Sequence, residues 1–188
     1  MEKISDSILK SLVEKETGRE RIYSGKILDL DRTTVTLPNG NEAAREIVVH
    51  KGAAAILPIN ENGEAAMVRQ YRAAIGEVTL EIPAGKLDSV CEIPLDCAVR
   101  ELREETGLSA KNMRLLVRMY STVGFSNEAI SIYLATNLSQ SQASPDDDEF
   151  VNVEWIAFDD LYQAALSGKI TDSKTLIAIL MAKEFLGQ

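Results

Sequence analysis

The sequence predicts an α/β/α sandwich around a mixed central sheet, with a small antiparallel sheet ahead of it. Three observations predict this. Strand-like runs at 53–59, 65–72 and 78–83 lead into one amphipathic helix at 94–106. Further strands at 114–121, 129–135 and 151–157 are followed by two helices near 159–167 and 173–186. Strands with helices both before and after them bury both faces of a sheet. Residues 21–50 add strands and a turn of their own.

Residues 4–16 alternate apolar and charged positions at helical spacing and predict a short amphipathic helix. RIYSGKILDL (21–30) and TTVTL (33–37) are strand-like, Pro38-Asn39-Gly40 is a turn, and AAREIVVH (43–50) is the strand after it. AAAILPI (53–59) is a short apolar strand, and Glu61-Asn62-Gly63 turns it into AAMVRQYR (65–72). VTLEIP (78–83) is another strand. Pro94 suits a first helical turn, and Gly107 suits a left-handed C-terminal position. Between them Leu95, Ala98, Val99 and Leu102 recur as an apolar stripe. The polar, acidic stretch SQSQASPDDDE predicts an exposed loop. No internal repeat is visible. The expected division is 1–50, a helix and sheet that dimerise, and 51–188, the main domain.

Composition narrows the function. The chain has 188 residues, 45% hydrophobic and 26% charged, which suits a globular protein. A formal net charge of −9 argues against nucleic acid and against an anionic membrane surface as partners. No stretch approaches the roughly 18 apolar residues of a membrane span. The N-terminus, with an acid at position two and no apolar core, reads as no signal peptide. Cys91 and Cys97 match no zinc spacing, so a cytoplasmic location with reduced thiols is expected. Cys97 reads as a core thiol. His50, the one histidine, lacks a nucleophile motif near it and reads as a strand-end residue.

The chemistry concentrates in AVRELREETGL (98–108). Glu101, Glu104 and Glu105 fall within about a 100° sector of one helix, and like charges so placed repel. One explanation is a solvated face with Arg100 and Glu104 as an i,i+4 pair. The other is a hard-cation site. EIPAGKLDSVCE brings Gly85 and Glu92 close to the helix start, and a loop folded over carboxylates supplies oxygen ligands. Mg²⁺ shares its shell with substrate phosphates and activates water for attack on phosphorus.

Gly85, Glu92 and Arg100-Glu101-Leu102-Arg103-Glu104-Glu105-Thr106-Gly107-Leu108 resemble the Nudix box. That motif runs Gly, five residues, Glu, seven residues, Arg-Glu-apolar-x-Glu-Glu-x-Gly-apolar. Six residues separate Gly85 from Glu92 here, one more than the motif has; the helical half matches throughout. SGKILDLDRTTVTLPNG, REIVVHKGAAAILPI, VRQYR, EIPAGKLD and GFSNE resemble the ADP-ribose pyrophosphatase branch of that family. The resemblance implies a Nudix fold. It also implies Mg²⁺-dependent hydrolysis of a nucleoside diphosphate derivative, with Mn²⁺ a possible substitute. ADP-ribose, giving AMP and ribose 5-phosphate, is the first choice of substrate. A nucleotide-sugar is the alternative. The rival from another class is a module that senses ADP-ribose without cutting it; the intact Glu101, Glu104 and Glu105 favour the enzyme.

The resemblance also carries roles over. It implies metal on Glu101, Glu105, the carbonyl of Ala84 and Glu149, with Glu104 and Glu92 as further candidates. Glu149 corresponds to the general base, whereas Asp146, Asp147 and Asp148 read as solvated loop charges. Arg100 is expected to orient a glutamate, and Gly85 to shape the loop. Arg72, in a Gln-x-Arg context, is expected on the diphosphate. Glu81, before the Pro-Ala-Gly turn, is expected to hydrogen-bond substrate or position the loop, Glu128 similarly, and Arg45 to reach a neighbouring subunit's site in a homodimer. Val123 stands where the ADP-ribose branch usually has proline.

Overall fold

The computed structural model describes residues 4–141 and 151–186. Its elements, in chain order, are α1 (Asp6–Leu12), β1 (Lys15–Ser24), β2 (Asp29–Thr36), β3 (Glu42–Val49), β4 (Ala53–Pro58), β5 (Glu64–Arg72) and β6 (Glu77–Glu81). They continue with β7 (Ala84–Lys86), α2 (Pro94–Thr106), β8 (Leu108–Tyr120), β9 (Ala129–Gln140), β10 (Asn152–Ala157), α3 (Phe158–Leu166) and α4 (Ser173–Leu186). Two compact units emerge. One comprises the residues through His50 together with Thr122–Glu128; the other comprises Lys51–Ser121 and the chain from Ala129 onward.

In the second unit a four-stranded sheet has the order β7-β4-β9-β8. β4 runs parallel to β9, while β7 pairs antiparallel with β4 and β8 antiparallel with β9, so the sheet is mixed. A three-stranded antiparallel sheet, β10-β5-β6, lies in the same unit.

Period-two alternation gives the sandwich its two cores. Ala55 and Leu57 of β4, with Ile130, Ile132 and Leu134 of β9, pack with Leu161 of α3 and Ala178 and Ile179 of α4. Their neighbours Ala54 and Ile56, with Tyr133 and Ala135, join Cys97, Ala98 and Leu102 of α2. Ala54 to Leu57 are all fully buried, as expected of a strand covered on both faces.

The first unit holds the antiparallel meander β1-β2-β3. The expected helix at 4–16 stops at Leu12 and buries none of its residues. From Lys15 the chain joins β2 instead, pairing Lys15 with Thr36. The expected strand 21–30 is two strands: Gly25 N–H donates to Leu28 O at 2.9 Å and turns the chain between them. Thr122–Glu128 is strapped to the end of β3. Val48 N–H donates to Phe125 O at 2.7 Å, and His50 N–H donates to Asn127 Oδ1 at 2.8 Å.

Elsewhere the sequence underestimates strands. The runs at 114–121 and 129–135 extend to Leu108–Tyr120 and Ala129–Gln140, where β8 and β9 sustain one long antiparallel ladder. The run at 78–83 ends at Glu81, and Ala84–Lys86 forms a separate strand against Ala53–Ala55.

Candidate active site

Helix α2 begins with Pro94 in its first turn and ends where Gly107 adopts φ 66°, donating its N–H to Arg103 O. Its buried residues are Cys97, Ala98, Glu101, Leu102 and Glu105. At about 100° per residue these span a sector of about 140°, with Glu101 and Glu105 near its middle. Leu95 and Val99, expected on the apolar stripe, are exposed. Two carboxylates occupy the centre of the face that a purely structural helix would fill with apolar groups. Only 6% of Glu101 and 5% of Glu105 reaches the surface. Burying an ionised carboxylate is costly without partners.

The loop from β6 to β7 provides partners. Ala84 N–H donates to Glu105 Oε2 at 3.1 Å. A Cβ on Gly85 would overlap the Glu101 carboxylate, so only glycine lets the loop lie against it. Here glycine is needed for space. Behind the loop, Cys97 Sγ lies 3.7 Å from Gly85 O and 3.5 Å from Lys86 O. Burial pushes the Cys97 thiol up to about 12, so it is a core thiol at neutral pH.

Arg100 is the cation of the cluster. Its Nη1 donates to Glu101 Oε1 at 2.6 Å and to Glu104 Oε2 at 2.9 Å. Its Nε lies 3.5 Å from Glu92 Oε1 and 3.7 Å from Asp88 Oδ2, and is buried without a hydrogen bond. Burial lowers the Arg100 pKa, but Glu101 and Glu104 overcome that and raise it. One guanidinium thus faces four carboxylates, with Glu105 a turn beyond Glu101. Glu92 also accepts Asp88 N–H at 2.6 Å, so the loop carrying the extra residue is closed by its own carboxylate.

Arg72 and Glu81 meet on neighbouring strands. Arg72 Nε and Nη2 donate to the two Glu81 oxygens at 2.7 and 2.6 Å. Glu81 also accepts Thr79 Oγ1 at 2.5 Å and Lys174 Nζ from α4. Burial alone would raise the Glu81 carboxyl; Arg72, Lys174 and Thr79 instead hold it at about 2. The Arg72 pKa is raised, first by its hydrogen bond to Glu81, then by the charges of Glu81, Asp172 and Glu105.

Other sequence candidates lie elsewhere. Arg45 on β3 pairs with Glu14 at 2.5 Å, and Glu128 Oε1 lies 3.5 Å from His50 Nδ1; both pairs belong to the first unit. Glu149, with Asp146, Asp147 and Asp148, lies outside the described residues. Sequence reasoning missed Asp88, Thr79, Lys174 and Asp172. Asp172 had a signal, an acid three residues before Thr175 at a helix start, which is an N-cap pattern. Lys174 had none.

Among the described residues no three His, Cys, Asp or Glu side chains are placed to hold a metal ion by themselves. Mg²⁺ does not require three, since it keeps waters and takes one or two carboxylates plus substrate phosphates. The donor set fits such an ion: hard carboxylate oxygens gathered around Arg100, and a glycine loop against Glu101.

Fold and site together are those of an α/β/α domain in which a carboxylate-bearing helix lies against a glycine loop. A family model, the NUDIX domain, matches residues 49–178. An ADP-ribose pyrophosphatase of Bacillus subtilis (strain 168) is 41% identical over 182 residues, 95% of this chain and 98% of the relative. An ADP-ribose pyrophosphatase of Mycobacterium tuberculosis (strain ATCC 25618 / H37Rv) is 36% identical, over 86% of this chain and 79% of the relative. A crystal structure of an ADP compounds hydrolase superposes with a TM-score of 0.82. It is 18% identical and covers 94% of this chain and 96% of its own, a likeness of fold. The chain belongs to the Nudix family, and it is a Nudix hydrolase. Among the described residues no helix is long and apolar enough to cross a membrane.

Proposed function

We propose that this hydrolase cleaves the diphosphate bond of ADP-ribose, giving AMP and ribose 5-phosphate, with Mg²⁺ as cofactor and Mn²⁺ as a substitute. The observation that carries the chemistry is the buried Glu101–Glu105 pair beneath the Ala84–Gly85 backbone, with Arg100 the cation among its carboxylates. The substrate rests on the two ADP-ribose pyrophosphatases that share 41% and 36% of their aligned residues with the chain.

Glu101, Glu105, Glu104 and the Ala84 carbonyl would hold the cation, and Glu92 stands behind Arg100. When bound, a divalent ion there neutralises diphosphate charge and makes a water more acidic. Arg100 fixes the rotamers of Glu101 and Glu104, as an outer partner of a metal ligand does. Arg72 turns toward the diphosphate the Nη1 that its fork with Glu81 does not use. Glu149 takes the proton from the attacking water. Glu128 positions substrate.

The same reading extends to assembly and location. Every residue of β1 is exposed, an uncommon condition for a ten-residue strand, and Ile22, Tyr23, Ile27 and Leu28 are exposed around it. A long exposed edge strand calls for cover. A C₂ homodimer joined through the first unit supplies it, with Arg45 reaching the partner's substrate. Cys91 and Cys97 are both free thiols, which suits the cytoplasm.

Val123 favours a second reading, a nucleotide-sugar substrate; a GDP-mannose pyrophosphatase of Yersinia enterocolitica is 26% identical over 95% of the chain. Hydrolysis of ADP-ribose, other ADP-sugars, GDP-sugars and nucleoside triphosphates at equal concentration decides between them. ADP-ribose should give the largest kcat/KM. A GDP-sugar turned over faster establishes the second reading, and triphosphates turned over faster refute both. Sedimentation should give about twice the 20.6 kDa chain mass, and a monomer at micromolar concentration refutes the dimer.

A further inference from the structure

Behind Arg72 lies a charged network that the hydrolytic chemistry does not use. Lys174 sits in the first turn of α4, and only 9% of it is exposed. A lysine so buried needs paired charge. Its Nζ donates to Glu81 and, at 3.0 Å, to Asp172 Oδ1. Asp172 Oδ2 in turn caps α4, accepting Thr175 N–H at 3.0 Å and Thr175 Oγ1 at 2.6 Å. The Thr175 hydroxyl accepts Ile82 N–H at 2.9 Å. The start of α4 is therefore tied both to the Glu81 side chain and to the backbone just after it.

Two cations share Glu81, and they differ in exposure. The Lys174 side chain is 11% exposed and the Arg72 side chain 40%. Lys174 is paired with two carboxylates, Glu81 and Asp172. Arg72 spends Nε and Nη2 on Glu81 and keeps Nη1 outside that fork. If Arg72 were the sole counterion of Glu81, any shift of its charge toward a diphosphate would leave a buried carboxylate without compensation. Lys174 removes that penalty by staying on Glu81 when a dianionic ligand draws on Arg72.

We propose that Lys174 is a positioning residue for substrate binding. As the resident counterion of Glu81, it lets Arg72 engage the diphosphate while Glu81 still orients the guanidinium. This rests on the reading of Arg72 as a diphosphate contact. The charge at position 174 is the operative property. Asp172 and Thr175 fix where that charge stands.

The test is a double-mutant cycle in the full-length protein, with steady-state hydrolysis of ADP-ribose and thermal unfolding of each variant. Arg72→Ala alone examines the underlying reading and should raise KM at least tenfold; an unchanged KM refutes that reading, whatever Lys174 does. Lys174→Gln should lower kcat/KM by about 10- to 100-fold, the usual range for an outer-shell partner, chiefly through KM. In the Arg72→Ala background the same change should cost less than about twofold, because the two residues act through one another. An equal loss in both backgrounds makes Lys174 a structural residue only and overturns the proposal. Lys174→Arg, which keeps the charge, should retain kcat/KM within about threefold. A loss as large as that of Lys174→Gln also overturns it. The arginine variant carries the test by itself if Lys174→Gln does not fold.

Discussion

Two groups of buried carboxylates sit in the same unit and are treated in opposite ways. Glu81, only 2% exposed, is fully matched: Arg72, Lys174 and Thr79 surround it, and Asp172 balances the second cation. Glu101 and Glu105 are nearly as buried, but Arg100 is drawn among Glu101, Glu104, Glu92 and Asp88. A closed network makes a rigid strut. The other gathers Glu101, Glu104, Glu92 and Asp88 around Arg100, a set of hard oxygens of the kind a divalent cation takes. The difference teaches that burial of an acid does not by itself mark a ligand. The balance of charge around it does.

Three substitutions sharpen or break this comparison. The largest effect is expected in the open cluster. Glu105→Gln keeps volume but removes a ligand charge, so turnover should fall at least about 100-fold. Stability should hold or rise slightly as repulsion along the helix falls. Near-normal turnover would leave Glu105 a structural partner of the Ala84 N–H and not a ligand.

The closed network should respond in stability. Glu81→Gln leaves the buried Lys174 facing a neutral amide, and breaking such a pair costs about 3–5 kcal/mol in denaturant unfolding. The acid limb follows from the same carboxyl. Its folded value, about 2, lies below its ordinary 4.5, so its contribution is present above pH 4.5 and lost as pH falls through 2. The variant should lose stability less steeply across that window. A parallel decline in both proteins would mean that Glu81 is not the matched charge described.

The smallest effect is steric. Gly85→Ala drives a Cβ into the Glu101 carboxylate, and such overpacking costs about 1–3 kcal/mol. Activity should fall as Glu101 is displaced. Unchanged activity would show that the loop does not need its close approach to that carboxylate.

Much of this was legible in residue types and spacing. Helix α2 was predicted at 94–106 and found at Pro94–Thr106, because proline and glycine punctuate it sharply. The two-faced core followed from the apolar run at 53–59. What escaped depended on partners distant in sequence. Lys15 and Glu16, predicted as the end of a helix, begin a strand because β2 pairs with them. Ala84–Lys86 is too short to announce itself and exists by pairing with Ala53–Ala55. The inward face of α2 was misplaced because Leu95 and Val99 look like core, whereas Glu101 and Glu105 do not. Lys174 was invisible because lysine is almost always a surface residue, and its burial follows from Glu81, 93 positions earlier.

The most direct test of the open carboxylate cluster is ADP-ribose hydrolysis by the wild-type protein with excess EDTA, then with Mg²⁺ restored above the chelator. AMP release should vanish in EDTA and return with Mg²⁺, because the negative charge around Arg100 repels a diphosphate unless a cation intervenes. Undiminished AMP release in EDTA would contradict the cation requirement on which the reading of Glu101 and Glu105 rests.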